Sequence, residues 1–165
     1  MKSNIFWKKG ALSQTCHLFS SNAKFGSLRF KPWCRSADAI MNGKSYRFQT
    51  NGLFTQKTQI IDIDNNTVVG KVTYHPWKSK ATMQFENKWL EWRFDNAWHT
   101  KWSLMSTGVS SIIFSGSSNS GRIECDRVDD VLVLTGLYIN YYYKQVSAVI
   151  MMAVFLPIIL SNIGG

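Results

Sequence analysis

Residues 131–160 read VLVLTGLYINYYYKQVSAVIMMAVFLPIIL and decide the fold of this chain of 165 residues. The segment is almost wholly apolar and carries one charge, at Lys144. A segment of this kind leaves water in one of two ways, by entering the hydrocarbon of a bilayer or by filling the inside of a closed sheet. The other features of the sequence bear on that choice.

The length of the segment makes it a marginal membrane anchor. Its uncharged part, 146–160, has 15 residues, or about 22 Å as a helix, whereas a bilayer core is about 30 Å thick and requires about 20 apolar residues. Extension to Ile163 gives 18 residues but adds Ser161 and Asn162 to a segment that already contains Pro157. Lys144 lies near one end, where its ammonium group can reach the headgroups. We therefore expect the segment to form the core of the domain, with membrane insertion as the alternative.

Residues 1–128 show short strand patterns with turn residues about every 8–12 positions, which is typical of a β-sandwich or a β-barrel. Apolar and polar side chains alternate clearly in 44–50 and in 89–94, as they do in a strand with one buried face. The segment 36–41 (SADAIM) is interpreted instead as a single helical turn.

The hydrophobic period changes at Asp129-Asp130. Two acidic residues before an apolar run can cap free N–H groups and complement a helix dipole. A helix is therefore predicted from Asp130, and Pro157 is expected to kink or end it. Gly136 and the β-branched residues leave 131–139 open to being a last strand instead.

Two features resemble the tubby C-terminal-domain-like superfamily, which includes tubby proteins, LURP-one-related proteins and phospholipid scramblases. They are the strand–turn–strand unit 60–72 (IIDIDNNTVVGKV) and the single apolar segment that follows many short strands. The resemblance implies a closed antiparallel barrel of about twelve strands around a central hydrophobic helix. It also implies association with membrane lipids. No ligand-binding residue transfers from the family to a position of this sequence.

The predicted fold is therefore mainly β, with one domain over residues 1–165. A closed antiparallel β-barrel of about 10–12 short strands in 1–128 wraps around a C-terminal hydrophobic helix in 129–160. The apolar tail is longer than a helix needs to fill a small barrel. This leaves open that 146–160 emerges from the barrel and reaches lipid.

The net charge of +9 is unevenly distributed. Residues 1–57 hold ten Lys and Arg against one acid, whereas 58–165 hold nine residues of each sign. A basic surplus attracts anionic lipid headgroups or nucleic acid, and it also serves as solubility charge. Three cysteines at wide spacing argue against a disulfide framework, so we expect a reducing cytoplasmic environment.

Aromatic and basic residues are interleaved in the second half of the strand region. Five tryptophans lie within 26 residues: Trp77, Trp89, Trp92, Trp98 and Trp102. Core packing, membrane-interface contact and base stacking would each use such rings, and core packing is the favoured interpretation. The tyrosine run 141–143 suits a barrel mouth or a bilayer interface equally. The candidate contacts with a membrane interface or a ligand are Trp77, Lys88, Trp89, Arg93, Tyr143 and Lys144.

No motif indicates catalysis or metal binding. Residues 62–66 (DIDNN) begin like a calcium loop, but Thr67 and Thr73 occupy the positions of the required glycine and glutamate. We therefore expect a hairpin turn there, because Asn tolerates a positive φ. No metal-pair spacing relates the four remaining candidate zinc ligands, which are Cys16, His17, Cys34 and His75. We expect no catalytic residue, no metal and no cofactor.

These observations predict a non-enzymatic binding or structural module in the cytoplasm, associated with a lipid or membrane surface. The alternative is a tail-anchored membrane protein with a cytosolic β domain. A second alternative is a basic module that binds nucleic acid, which the acids mixed among the tryptophans disfavour. The expected partner is an anionic lipid or membrane surface, and a protein partner stays open.

Overall fold

Twelve antiparallel strands close into one barrel, in which each strand pairs with its neighbours along the chain. The computed structural model describes residues 3–31, 35–52, 56–106 and 109–163. The strands of these residues are β1 (Ser3–Lys9), β2 (Thr15–Ser20), β3 (Ala23–Lys31), β4 (Ser36–Met41), β5 (Lys44–Asn51), β6 (Lys57–Asp62), β7 (Thr67–His75), β8 (Lys80–Phe85), β9 (Lys88–Phe94), β10 (Lys101–Ser106), β11 (Val109–Gly116) and β12 (Ser120–Cys125). A single helix, α1 (Asp130–Ile163), follows β12. The predicted fold class is confirmed.

Strand periodicity places every second side chain inside the barrel. In β5, Tyr46, Phe48 and Thr50 face the interior and are at most 5% exposed. β9 follows its predicted alternation, because Leu90 and Trp92 are buried. The barrel closes where β1 pairs with β12.

Two strands depart from the sequence-based expectation. The segment 36–41, interpreted as a helical turn, is β4, so that interpretation is wrong. Asp38 of β4 faces outward and forms salt bridges with Lys31 of β3 and Arg47 of β5. Cross-strand pairing of this kind overrides the helix propensity of alanine. The strand β1 was not predicted, although its side chains alternate between solvent and interior.

The predicted hairpin turn between β6 and β7 is confirmed. The Asp62 carboxylate accepts hydrogen bonds from the backbone N–H groups of Asp64 (3.0 Å) and Asn65 (3.2 Å). Asn66 has a φ of 51°, the left-handed conformation that Asn tolerates. The Asp62 carboxylate thus stabilises the turn by accepting backbone hydrogen bonds from the residues that follow it.

The helix begins where the two acids predicted it. Asp129 Oδ1 accepts a hydrogen bond of 3.1 Å from the backbone N–H of Leu132, as an N-cap residue does. Residues 131–140 are all buried and helical, so the alternative of a last strand is wrong. The helix continues beyond Pro157 to Ile163. One proline removes one backbone hydrogen bond, and that loss does not end the helix here.

The first half of α1 fills the barrel. The carbonyl oxygen of Gly136 accepts hydrogen bonds from the indole N–H groups of Trp92 (3.1 Å) and Trp102 (3.2 Å). Both rings are fully buried, and their N–H groups need a partner in such an environment. These bonds tie the helix axis to the strands β9 and β10.

The second half of α1 lies outside the barrel. We call the end of the barrel near Asp130 the entry end, and the end that α1 leaves near Lys144 the exit end. Residues 147–161 are all exposed. The expectation that 129–160 fills the barrel therefore applies only up to Tyr143, since the strands are too short to enclose a helix of 34 residues. The sequence left open whether the tail emerges from the barrel, and in the structure it does emerge.

Candidate functional site at the exit of the helix

A collar of tyrosines holds α1 where it leaves the barrel. Tyr141 stacks on Phe30 with ring centroids 3.6 Å apart, and Tyr142 stacks on Tyr74 at 3.7 Å. Tyr143 stacks on Trp92 at 5.3 Å. The run of three tyrosines thus contacts different strands around the mouth, because successive helix positions point about 100° apart.

The hydroxyl groups of this collar bind strand ends at the rim. Tyr142 donates to Gln56 Oε1. Tyr143 donates to the carbonyl oxygen of Lys80 and accepts a hydrogen bond of 3.3 Å from the backbone N–H of His75. Burial raises the pKa of Tyr142 to about 12 and that of Tyr143 well above its ordinary value. Both hydroxyls are therefore neutral at physiological pH and serve as structural hydrogen-bond partners.

Exposed apolar side chains surround the same end. In a closed antiparallel barrel, the connections β1–β2, β7–β8 and β9–β10 all lie at the exit end. Their tips carry Leu12, Trp77 and Trp98, which are 98%, 100% and 85% exposed. Large apolar side chains of this exposure normally mark an interaction surface when they cluster. Here they lie at the end of the barrel from which the apolar helix projects.

The two ends of the barrel differ in charge. We count the connections, the two outermost residues of each adjoining strand and the adjoining part of α1, within the described residues. The exit end has one acid, Asp95, and ten cations: Lys8, Lys9, Lys31, Arg35, Lys57, Lys78, Lys80, Arg93, Lys101 and Lys144. The entry end has four cations, Lys24, Lys44, Lys88 and Arg127, and seven acids: Asp62, Asp64, Glu86, Glu124, Asp126, Asp129 and Asp130. The exit end is therefore net positive and the entry end net negative.

Two lysines lie at the mouth itself. Lys9 follows Ile5 and Trp7 on the inward face of β1, and its Nζ lies 5.8 Å from the centroid of the Tyr141 ring. Lys144 Nζ lies 5.8 Å from the centroid of the Trp102 ring. Burial, and to a smaller degree the neighbouring Lys9, lowers the pKa of Lys144. The positive charges of Lys9 and Lys144 therefore repel one another, and Lys144 is partly removed from water.

A cavity of about 250 Å³ opens beside these lysines, between α1 and the strands β1 to β3. Trp7, Cys16 and Phe30 line its barrel side, and Leu137 and Asn140 line its helix side. Burial raises the pKa of the Cys16 thiol to about 12, so this cysteine is an unreactive part of the wall.

The predicted site residues do not form one group. Trp77, Tyr143, Lys144 and Arg93 lie at the exit end, and Arg93 Nε is 3.5 Å from a carboxylate oxygen of Asp95. Lys88 and Trp89 begin β9 at the entry end, on the opposite side of the barrel. Lys88 and Trp89 begin β9, whereas Arg93 lies near its other end. The two ends of one strand lie at opposite ends of the barrel, so these residues are far apart although they are close in the sequence.

Sequence reasoning missed several residues of the exit end. Lys9 lies on the same inward face of β1 as Ile5 and Trp7. The alternation of side chains in residues 3–9 could have predicted this position. In the sequence, Trp98 belongs to the same group of tryptophans as Trp92 and Trp102, whose rings are buried in the structure. Only the strand boundaries show that Trp98 lies in the connection between β9 and β10. Asn140 gives no signal in sequence beyond a polar residue within an apolar run.

Two of the three cysteines lie within the described residues. Cys16 and Cys125 are buried free thiols, as expected of small hydrophobic side chains, and Cys34 lies outside the described residues. Within the described ranges, no group of three or more His, Cys, Asp or Glu side chains is placed to hold a metal ion.

The fold and this end together define a class: a closed twelve-stranded antiparallel barrel, filled by the first half of one helix whose second half projects into solvent. Within the described residues, α1 is the one helix long and apolar enough to cross a membrane. No protein-family model, curated protein or solved structure matches the chain.

Proposed function

We propose that this chain is a membrane-anchored β-barrel module, in which residues 147–161 enter a bilayer and the exit end contacts anionic headgroups. One observation carries the proposal: ten large apolar side chains between Val149 and Leu160 are each 48–62% exposed. They surround the helix on every side. A helix that is hydrophobic all round is stable only when something apolar surrounds it.

The energy of this exposed surface is large. Removing the rest of each side chain from water contributes roughly 1 kcal/mol, and ten of them contribute on the order of 10 kcal/mol. The contiguous patch far exceeds the isolated apolar residues that are normal on protein surfaces. Insertion into lipid removes the whole patch from water in a single step.

The rim of the barrel compensates for the short length of the tail. Residues 147–161 span about 22 Å, less than the roughly 30 Å of a bilayer core. The helix is continuous from inside the barrel to Ile163, so no linker separates the barrel from the lipid. We infer that the exit end sinks into the headgroup layer, where Trp77 and Trp98 find the environment that tryptophan prefers.

The charge asymmetry sets the orientation in this proposal. An anionic leaflet attracts basic residues near its surface with about 1 kcal/mol for each. Cations next to a membrane span also favour the cytoplasmic side. We therefore place the barrel in the cytoplasm, with its acidic entry end away from the membrane.

We further propose that the module binds rather than catalyses, and that it is related to the tubby-like superfamily. The twelve-stranded barrel around a C-terminal helix agrees with the architecture that the resemblance implied. Nucleic acid is a weaker candidate, because the apolar helix projects from the centre of the basic end and would obstruct a bound strand.

Carbonate extraction of membranes from expressing cells tests the anchor. The wild-type chain is expected to remain in the pellet. The double variant Ile150→Glu/Val154→Glu, which places two charges within the span, is expected in the supernatant. Ser147→Glu/Ser161→Glu adds the same charge at the two ends of the span and should stay in the pellet. Release of the wild-type chain would contradict the proposal.

A further inference from the structure

A groove of about 610 Å³ opens at the entry end of the barrel, between the strands β5 to β8 and the segment that joins β12 to α1. Five apolar side chains line it: Val68, Val69, Phe85, Val128 and Val131. Val69, Phe85 and Val128 are partly buried against the core, whereas Val68 is 49% exposed. The groove therefore presents apolar surface to solvent beside the start of the helix.

Acidic side chains line the same groove. One cation, Lys44, and four carboxylates contribute to the wall: Asp62, Glu86, Asp129 and Asp130. Burial raises the pKa of the Tyr46 hydroxyl in this wall, and four carboxylates raise it further: Asp130, Asp62, Asp129 and Asp64. The negative charges thus lie close enough together to act on one side chain.

The acids of the entry end differ from the others in their pairing. Asp38, Glu91 and Asp95, which lie elsewhere on the barrel, each form a salt bridge. Of the seven acids at the entry end, Glu124 forms the one salt bridge within the described residues. Like charges that are gathered without counterions repel one another, and a cationic partner relieves that repulsion.

Hydrogen bonds to the groove carboxylates do not neutralise them. Asp130 Oδ1 accepts a hydrogen bond of 2.8 Å from the side-chain amide of Asn42. Asp62 and Asp129 accept from backbone N–H groups. All of these donors are uncharged. No three of the carboxylates in the described residues are placed to hold a metal ion together, so their spacing suits a ligand with several separate cations.

We propose that this groove docks a cationic segment of a partner protein, in which one or two apolar side chains are flanked by lysine or arginine. The apolar side chains cover Val68 and Phe85, and the flanking cations meet Glu86 and Asp130. Pockets of roughly 300–1,000 Å³ hold drug-sized ligands, so this groove accommodates a short segment and not a folded domain. Charge complementarity rejects an acidic segment of the same shape.

The position of the groove fits this kind of partner. The proposed anchor holds the exit end at the membrane and leaves the entry end facing the cytoplasm, where a soluble protein reaches it. A second copy of the chain is a poorer occupant, because its own surplus of cations lies at the exit end. Docking in the groove does not itself depend on the tail.

Peptide binding to the full-length chain in non-ionic detergent tests the groove. The probe is the fluorescein-labelled peptide KRLLKR, followed by fluorescence anisotropy with empty micelles as the blank. The peptide KRSSKR should bind about tenfold more weakly because it lacks apolar side chains, and EELLEE should not bind. Equal binding of KRLLKR and EELLEE, or no binding of KRLLKR at about 1 mM peptide, would overturn the inference.

Two pairs of substitutions distinguish the groove from the general charge of this end. Glu86→Gln/Asp130→Asn should weaken the binding of KRLLKR roughly tenfold, and the amide at position 130 keeps an oxygen acceptor for Asn42. The control Asp64→Asn/Asp126→Asn removes the same charge from the same end but outside the groove lining, and should bind nearly as the wild type does. Equal weakening by the two variants would overturn the assignment to the groove.

A second comparison tests the apolar contact on surface positions, where folding is least affected. Val68→Ser should weaken KRLLKR binding about threefold. Ile40→Ser, at an exposed position (54%) of the same end that does not line the groove, should leave it unchanged. Equal affinities of the two variants would contradict the apolar contact.

The remaining outcomes separate the possible failures. Sedimentation of the full-length chain at rising concentration checks for self-association, and a dimer that Glu86→Gln/Asp130→Asn abolishes would assign the groove to a second copy and overturn the partner assignment. The peptide titration needs no bilayer. Its failure therefore refutes the groove alone, whereas release of the wild-type chain by carbonate refutes the anchor alone.

Discussion

The ring of Phe114 packs directly against Gly136, so closely that a Cβ at position 136 would lie 2.2 Å from Phe114 Cζ. Within the barrel, the absence of a side chain at this point allows the helix to approach β11. The same residue offers its carbonyl oxygen to two tryptophans. Gly136 therefore determines how the helix seats in the barrel.

Gly136→Ala should destabilise the protein by about 1–3 kcal/mol, as overpacked core positions do. Helix propensity alone predicts the opposite, a gain of about 1 kcal/mol. Thermal unfolding in mild detergent distinguishes the two. Phe114→Leu provides the paired variant: combined with Gly136→Ala, it should recover part of the loss, and strict additivity of the two effects would refute the contact.

Truncation should separate the core from the tail. A chain that ends at Val146 retains the tyrosine collar and should be soluble, folded and monomeric by gel filtration and circular dichroism. A chain that ends at Val128 lacks the helix and should not fold, because the inward faces of all strands lose their core. If the longer chain also fails to fold, the tail contributes to the core in a way that its exposure does not indicate.

Stability should fall at alkaline pH, partly through Tyr142. Burial raises its pKa to about 12 in the folded state, against about 10 for an unfolded tyrosine. Between these values the folded state binds more protons than the unfolded state, so the free energy of unfolding decreases as the pH rises. Tyr142→Phe should show a shallower decrease from pH 10 to 12 in urea titrations. A slope equal to that of the wild type would show that the hydroxyl titrates normally.

Lys144 should reduce stability when no anionic lipid is present. Its pKa is lowered by burial and by Lys9, so folding disfavours its charged form at neutral pH. The penalty decreases as the pH rises from the folded pKa towards the higher pKa of an unfolded lysine, because the unfolded state binds more protons in that interval. Lys144→Met should therefore melt at a higher temperature than the wild type at pH 7, and the difference should narrow by pH 10. Lys101→Met, at an exposed position of the same end, serves as the control and should leave the melting temperature unchanged.

The exposed tryptophans should report the orientation on the membrane. Brominated lipids quench indole fluorescence at the headgroup boundary, and Trp77 and Trp98 lie at the exit end. Trp77→Phe/Trp98→Phe should lose most of the lipid-dependent quenching. Trp89→Phe removes an exposed ring (62%) at the entry end and should retain it. Equal quenching by the two variants would mean that the barrel does not dock through its exit end.

The fold was largely predictable, for reasons visible in particular residues. Alternation in β5 and β9, the turn at Asn66 and the N-cap at Asp129 each act over a few residues, so the sequence contains their signals. The segment 36–41 was predicted as a helical turn because its alanines favour a helix locally. The contacts of Asp38 with β3 and β5 that accompany the strand are not local, so the sequence of 36–41 does not contain their signal. The exit end depends on strand direction and register, and its residues come from widely separated positions.

By itself, the sequence determined that this chain forms many short strands followed by one apolar helix, because hydrophobic period and capping are properties of neighbouring residues. It could not determine how far that helix is enclosed. Only the tertiary structure decided that 131–143 is core and 147–161 is free, since the height of a closed barrel is set by strand length and tilt. The same closure brings Lys9, Asn140 and Lys144 together, although 131 positions separate Lys9 from Asn140 along the chain.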